Sequence, residues 1–550
     1  MQSDMEPWYS GMGAIVLALV TVLSLILISI GIIAYRASKK TAHDYVLAGG
    51  GLGLIVYFFT SAFTIMSAWT FYGLAGYVYG SGMGIIIPWY MFIHLFQALL
   101  LGFFGLKLWA ASRLYGHVTP LTLFCSRLGN EKITPIFSAV NLVFLIVYMA
   151  LQPTAIALGL NILIGAPFEF GFFYGVIIST IMIVLGGMRS AAWGNVIMGI
   201  WFIIAFFGTF AIAVAALPGG LPAAAQAVST STPWVYSNPD PFGPLKLTGI
   251  ERTAYALGYI LSGFSGCLWI HLLYLPMTAK HPKVLRRYPP LQMILFCIIF
   301  TVMACTMGAT IGKYLPLGTF RGDQVVQVLA STLGGTWWGA FVYIGAFCAA
   351  VTTIVTMQVA AGSLFSIDII GTFKKDLPER LRLILTRIFL VVATVIAAYF
   401  GWLATFGWKS IGLPGPVPLA DFLNILASPG FALNVVLLIS LYWKRATWIG
   451  ALSSFVVGFA VLALGYVYPP FMQAVTGVRG VPALVLALPV ELVVFFVVSY
   501  LTKPAPPDLI ENYFTKVDEY IYQSMTEEKE AKPVAETKES KGEAVTPKAP

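Results

Sequence analysis

Ser61-Ala62-Phe63-Thr64-Ile65-Met66-Ser67-Ala68-Trp69-Thr70 interrupts an apolar stretch that runs from about Leu54 to Tyr79, and Gly73, Gly76, Gly80 and Gly82 follow it. An apolar helix in lipid needs no polar interior, so a small and hydroxylated run marks a place where a helix can unwind at mid-membrane. A second run, Ser262-Gly263-Phe264-Ser265-Gly266-Cys267, lies five apolar stretches further on. Matching breaks in two five-helix halves are the pattern of an inverted-repeat transporter with its site between them. Small residues that let helices pack closely are the structural alternative.

Composition sets the environment. The 550 residues are 59% hydrophobic and 10% charged, with a mean hydropathy of +0.85. Soluble proteins carry about 25% charged residues. So few charges cannot solvate the surface of a chain this long, which excludes secreted mini-domains, disordered proteins and cytosolic enzymes. Residues 503–550 have a net charge of −3 and the rest of the chain +12. The basic excess thus belongs to the membrane part and reports topology, with no nucleic-acid partner. The scattered Cys125, Cys267, Cys297, Cys305 and Cys348 read as apolar fillers.

A helical span needs about 20 apolar residues, and that rule predicts thirteen. The first six fall at about Ala14–Tyr35, Leu54–Tyr79, Met83–Leu108, Ile133–Leu163, Phe172–Leu185 and Val196–Leu217. The others fall at about Ala254–Leu275, Leu291–Ile311, Trp338–Phe365, Ile388–Leu403, Phe422–Leu441, Ile449–Tyr466 and Val481–Leu501. An acidic leader (Asp4, Glu6) without a basic n-region makes the first a retained helix. Loop charge supports the count: one alternate set of loops carries 18 Lys/Arg and the opposite set 6. The positive-inside rule then puts the amino terminus outside and the carboxyl terminus in the cytoplasm of a multi-pass plasma-membrane protein. The expected division is a transmembrane domain at 1–502 and a cytoplasmic tail at 503–550. The domain has its first helix at 14–35, the region of the core at about 54–466 and its last helix at 481–501. The tail has one amphipathic stretch, Leu509 to Tyr522, and is otherwise Glu/Lys/Pro/Ala-rich and expected to be disordered.

A third element completes the candidate site. Ala349, Thr352 and Thr353 share one helix face through their i, i+3, i+4 spacing. One carbonyl and two hydroxyls facing a broken helix offer the oxygen ligands that a small hard cation prefers, although Thr pairs also back-bond within their own helix.

From about Asp44 to Leu501 the chain resembles the sodium:solute symporter family. The resemblance rests on Asp44-Tyr45-Val46-Leu47-Ala48-Gly49, Gly186-Gly187-Met188-Arg189-Ser190-Ala191-Ala192-Trp193, Ser366-Ile367-Asp368, and Leu441-Tyr442-Trp443-Lys444-Arg445-Ala446-Thr447 with Gly450-Ala451. It implies an all-α integral membrane fold of the LeuT type, a 5+5 inverted repeat on spans two to eleven within about 13 transmembrane helices. It also implies alternating access driven by a sodium gradient. Carried over by position, the Na+ site takes the carbonyls of Phe63, Met66 and Ala349 and the hydroxyls of Thr352 and Thr353.

Departures narrow the expectation. Gly194-Asn195 stands where many members have Thr-Asp, which removes a carboxylate linked to additional sodium sites. Ile65 replaces an Asp of some amino-acid-transporting members, and Gly50 replaces the usual Arg. One sodium per cycle is expected, with H+ coupling open as the alternative.

The substrate pocket is expected beside the breaks, on Ser67, Trp69, Thr70, Ser265, Trp269 and His271. Positions that contact sugars in other members hold Thr70, Trp89 and Phe92. Two aromatics there argue against a hexose, because each buried unpaired hydroxyl costs about 1–3 kcal/mol. Cys267-Leu268-Trp269-Ile270-His271-Leu272 resembles a stretch of the monocarboxylate-type branch, with Ile270 in place of a Pro. His271 can pair with a carboxylate there. His94, Lys107 and Glu491 are read as structural.

The expected function is sodium-coupled symport of a small organic solute, a monocarboxylate first, by a functional monomer in the lipid bilayer. Proline, another amino acid or a vitamin-like acid is the alternative cargo, and a channel or sensor the alternative class. No catalytic motif is present: Gly49-Gly50-Gly51-Leu52-Gly53 opens neither a P-loop nor a Rossmann unit.

Overall fold

The computed structural model describes residue 9 and residues 11–84, 86–237, 249–403, 428–478 and 481–526. These form helices and one isolated β-bridge. Each of the thirteen predicted spans falls on a described helix, the eleventh only in part, since residues 404–427 lie outside the described ones. Among the described residues, ten helices are long and apolar enough to cross a membrane by themselves, eleven with one bent pair counted as a span. Lys246, Lys409 and Arg479, three of the six cations of the poorer loop set, also lie outside the described residues.

Helix α1 is Gly11–Ala37. Helices α2 (Leu54–Ile65) and α3 (Trp69–Ser81) form the bent pair, at 61°. Then come α4 (Trp89–Tyr115), α5 (Thr134–Ile164), α6 (Phe168–Ala215), α7 (Gly249–Phe264) and α8 (Pro282–Tyr314). They are followed by α9 (Gly322–Phe373), α10 (Glu379–Trp402), α11 (Ser428–Ser440), α12 (Trp448–Val467) and α13 (Leu484–Leu501). The tail helix α14 covers 507–526. Helix α9 is the innermost, with 94% of its most apolar window buried against 33% for α1 and for α13. Its Ala, Gly and Thr faces allow close backbone approach, the means by which helices associate where lipid is as apolar as they are.

Two spans predicted as separate, Phe172–Leu185 and Val196–Leu217, are joined in α6 and divided at Gly187 (φ 58°, ψ −149°). The Tyr45 carbonyl occupies the space of a side chain there, so both the dihedral and the contact demand glycine. Helix α9 divides likewise at Gly335 (φ 75°).

Backbone ties brace the ends of the broken spans. Leu52, just before α2, pairs in parallel with Ala279, just after the second break. Leu52 N–H donates to Thr278 O at 3.0 Å, and Lys280 N–H donates to Leu52 O at 2.9 Å. Arg113 donates to the carbonyls of Gly50 and Ala279, and its guanidinium fills the place of a side chain at Gly50 (φ 62°). A side chain at Gly50 would therefore collide with Arg113 in this chain. Arg189 ion-pairs with buried Asp44, which also accepts from Lys39 N–H at 2.9 Å. Asp368, fully buried, accepts from the hydroxyls of Thr119, Thr122 (2.7 Å) and Ser138 (3.0 Å).

The amphipathic stretch of the tail is docked on its own chain. Tyr513, Phe514 and Val517 are buried, Lys107 pairs with Asp518 at 3.1 Å, and His117 Nε2 meets the Tyr513 hydroxyl at 2.7 Å. The apolar face predicted from the pattern thus covers the end of α4. Residues 527–550 lie outside the described ones.

Candidate functional site

Helix α2 ends because Met66 leaves helical space (φ −77°, ψ 80°). Ser67 N–H turns to Ile65 O at 3.0 Å instead of the Phe63 carbonyl four residues back. Side chains take up the donors this frees: Ser67 Oγ accepts from Trp69 N–H at 3.1 Å and Gln152 Oε1 from Ala68 N–H at 3.3 Å. A break inside a membrane persists only when its backbone groups are satisfied by protein in this way.

The second break follows α7. A tight turn at Ser265–Cys267 leads to extended Trp269 (φ −62°, ψ 120°) before a short helix, Ile270–Leu273. The Leu268 carbonyl accepts from Asn434 Nδ2 at 2.9 Å, and Asn434 exchanges two hydrogen bonds with Asn141.

Helix α9 presents its Thr face to the first break. Thr353 Oγ1 donates to Thr64 O at 3.0 Å and to Ala349 O at 3.3 Å, while Thr352 Oγ1 donates to Ala349 O at 3.0 Å. All of these residues are buried. Of the predicted pair of hydroxyls, Thr353 therefore reaches α2 at Thr64, next to Phe63, while Thr352 bonds back to the Ala349 carbonyl of its own helix. Asn195 of α6 adjoins the same spot, with Nδ2 3.5 Å from Thr60 O and 3.4 Å from Thr64 Oγ1. The donor set is made of neutral, hard oxygens, which suits an alkali cation better than a transition metal.

Beside the first break lies a small cavity, with room for about one water molecule. Of the six predicted substrate residues, Ser67, Trp69, Thr70 and Trp269 line it. Ser265 and His271 are not among its lining. Ser265 Oγ accepts from Trp269 Nε1 at 3.3 Å and so steadies the indole. His271, one helical step past the break, packs beside Trp269 and Tyr148, with ring centroids 6.0 and 5.7 Å away. Trp89 and Tyr90 of α4 and Tyr148 of α5 complete an aromatic wall, and all are buried.

His94, read from sequence as structural, also lines the cavity. The available signal was its i+4 spacing from Tyr90, which places both on one face of α4. Thr64 and Gln152 were missed as well. Nothing in the pattern of residues singled out Gln152, because its role depends on a break 84 residues away.

Comparison with known proteins agrees with this architecture. The sodium:solute symporter family matches residues 45–458. A sodium/proline symporter of Staphylococcus aureus (strain bovine RF122 / ET3-1) is 22% identical over 92% of this chain and 96% of its own length. The uncharacterized symporter YhjB of Bacillus subtilis (strain 168) is 21% identical over 70% of this chain and 77% of its own. Among solved structures, a Na+-coupled sialic acid symporter in a substrate-bound outward-open state superposes with a TM-score of 0.72. The two share 15% identity, and the match covers 90% of this chain and all of that one. The fold is thus the LeuT-like one that the resemblance implies. With broken helices, a buried oxygen-rich face and a family match over most of its length, this chain belongs to the sodium:solute symporter family and is a sodium-coupled, multi-pass membrane transporter of small solutes.

Proposed function

We propose that the protein carries a small monocarboxylate inward together with one sodium ion, by alternating access around the cavity at the first break. The observation that carries this reading is the character of the lining. It is aromatic and small, and among the described residues it holds no ionisable acid or strong base and offers the indole N–H groups of Trp69 and Trp89 no hydrogen-bond partner. A solute with one acceptor-rich end and an apolar remainder fits such a wall, and a polyhydroxylated sugar does not.

Sodium is held, on this reading, by the carbonyls of Phe63, Met66 and Ala349 and the hydroxyls of Thr352 and Thr353. The Phe63 carbonyl is released from its helical partner, and both hydroxyls can rotate their protons away to offer a lone pair. Binding there fixes the angle between α2 and α3 and with it the cavity wall, so ion and solute favour the same conformation. The working unit is a monomer in the plasma membrane, with the amino terminus outside and the tail in the cytoplasm.

A second cargo, proline or another small amino acid, is favoured by the sodium/proline symporters among the relatives. The rings of Trp69, Tyr90 and Trp269 can receive an ammonium group by cation–π attraction. Counterflow of labelled lactate, pyruvate, proline and glucose in proteoliposomes separates these readings. Lactate or pyruvate exchange is expected; exchange of proline alone moves the assignment to the second cargo. Uptake unchanged when choline replaces sodium, yet abolished by a protonophore, moves the coupling to protons.

A further inference from the structure

A buried chain of three side chains fixes the protonation pattern of His94. Its Nδ1 lies 2.8 Å from the Gln292 amide nitrogen, and Gln292 Oε1 accepts from the Tyr288 hydroxyl at 2.7 Å. All three residues are fully buried. Because Oε1 receives the Tyr288 proton, the amide must turn its NH2 toward His94, and Nδ1 must accept. A neutral imidazole that accepts at Nδ1 carries its proton on Nε2. The opposite setting, with the amide flipped, would turn an NH2 group toward the Tyr288 hydroxyl and leave that O–H without its acceptor.

The ring is also held in place. Tyr90 meets it edge-on at 4.3 Å, and Phe296 stacks at 6.5 Å. Nε2 is buried, has no partner among the described residues, and belongs to a residue that lines the cavity. Among the described residues, the other partnerless polar atoms of that lining are Trp69 Nε1 and Trp89 Nε1. All three are N–H donors. Such a set satisfies a carboxylate, which only accepts, and leaves the NH2 of a carboxamide facing other donors.

We propose that His94 determines specificity by donating its Nε2–H to the carboxylate of the transported solute, with Gln292 and Tyr288 as positioning residues that hold the required tautomer. This rests on the carboxylate reading given above. It moves the anchoring role from His271, which is not among the cavity's lining, to a histidine on α4 that is. The indole donors of Trp69 and Trp89 complete the grip, and the aromatic rings enclose the rest of the solute.

The test is calorimetric binding to the full chain in nanodiscs with sodium, using three acid–amide pairs: lactate and lactamide, propionate and propionamide, proline and prolinamide. For the wild type, an acid that binds should do so at least about tenfold more tightly than its amide, the difference expected of one hydrogen bond to a charged group. His94→Leu should cut that ratio about tenfold, and His94→Gln, whose side chain carries an N–H near the same place, should hold it within about threefold. Tyr288→Phe removes one hydroxyl from a packed ring, frees the amide to flip, and should lower the ratio about threefold or more; this variant decides the matter if His94→Leu does not fold. A wild type that prefers no acid overturns the carboxylate reading itself. A wild-type preference that survives unchanged in His94→Leu, or in Tyr288→Phe, overturns the assignment of His94 and leaves the carboxylate reading standing.

Discussion

The Thr353 hydroxyl of α9 donates to the Thr64 carbonyl of α2 at 3.0 Å, joining an unbroken stretch of one helix to the last turn of another before it unwinds. The bond puts an alcohol proton where a cation would share the same carbonyl region. On the sodium site proposed above, ion binding would exchange this hydrogen bond for coordination, with the hydroxyl serving in both states. Thr353→Ala should raise the sodium concentration for half-maximal uptake about tenfold or more, and Thr353→Ser should restore most of it. Sodium-activation curves in proteoliposomes measure this, and an unaltered response in the Ala variant removes Thr353 from the site.

Asn195 brings its amide to the same turn of α2, and its Oδ1 has no partner in the protein. An Asp at this position would be a buried carboxylate beside Thr60 and Thr64, and such a group draws in a cation to offset its desolvation. Asn195→Asp should steepen sodium activation, with the Hill coefficient rising from about one toward about two. A coefficient that stays at one shows that a second ion needs more than this single carboxylate.

Gly187 and Gly335 both adopt positive φ, but their surroundings differ. A side chain at Gly187 meets the Tyr45 carbonyl and ring, whereas one at Gly335 meets nothing within 4 Å. Gly187→Ala should cost more than the roughly 1–3 kcal/mol of backbone strain alone, and Gly335→Ala only that strain. Thermal unfolding in detergent should rank the two variants in that order.

Burial pushes the His117 imidazole down to about 4 at its contact with Tyr513. It is held neutral while the tail is docked and regains the ordinary histidine value when the tail leaves. The docked state is thus at full strength above about pH 6.5 and loses stability as pH falls from there toward about 4. Limited proteolysis between α13 and α14 should be faster at pH 5 than at pH 7.5. His117→Gln should shrink the difference.

The membrane fold was legible because lipid imposes simple demands on sequence. Length and hydropathy define each span, and the run from Ser61 to Thr70 is too polar to remain an undisturbed helix. The Thr352–Thr353 face was legible from helical spacing. Harder to read were features that depend on partners far away in the chain. Ser265 and His271 stand close to the second break in sequence, but the helix that resumes at Ile270 packs His271 beside Trp269 and not among the cavity's lining. His94 looks like an ordinary intramembrane histidine until Gln292, 198 residues away, sets its tautomer. The tail's amphipathic face was visible, but the surface that covers it is built from α4 and from His117.

The short backbone ladder between Leu52 and Ala279 yokes the two arms that flank the transport site. Opening that end cannot swing one arm while the other stays put unless Leu52 surrenders both its rungs and Arg113 lets go of its carbonyls. The low-cost motion is a joint one, in which both arms tilt together as a single lever and widen the passage against the rest of the bundle.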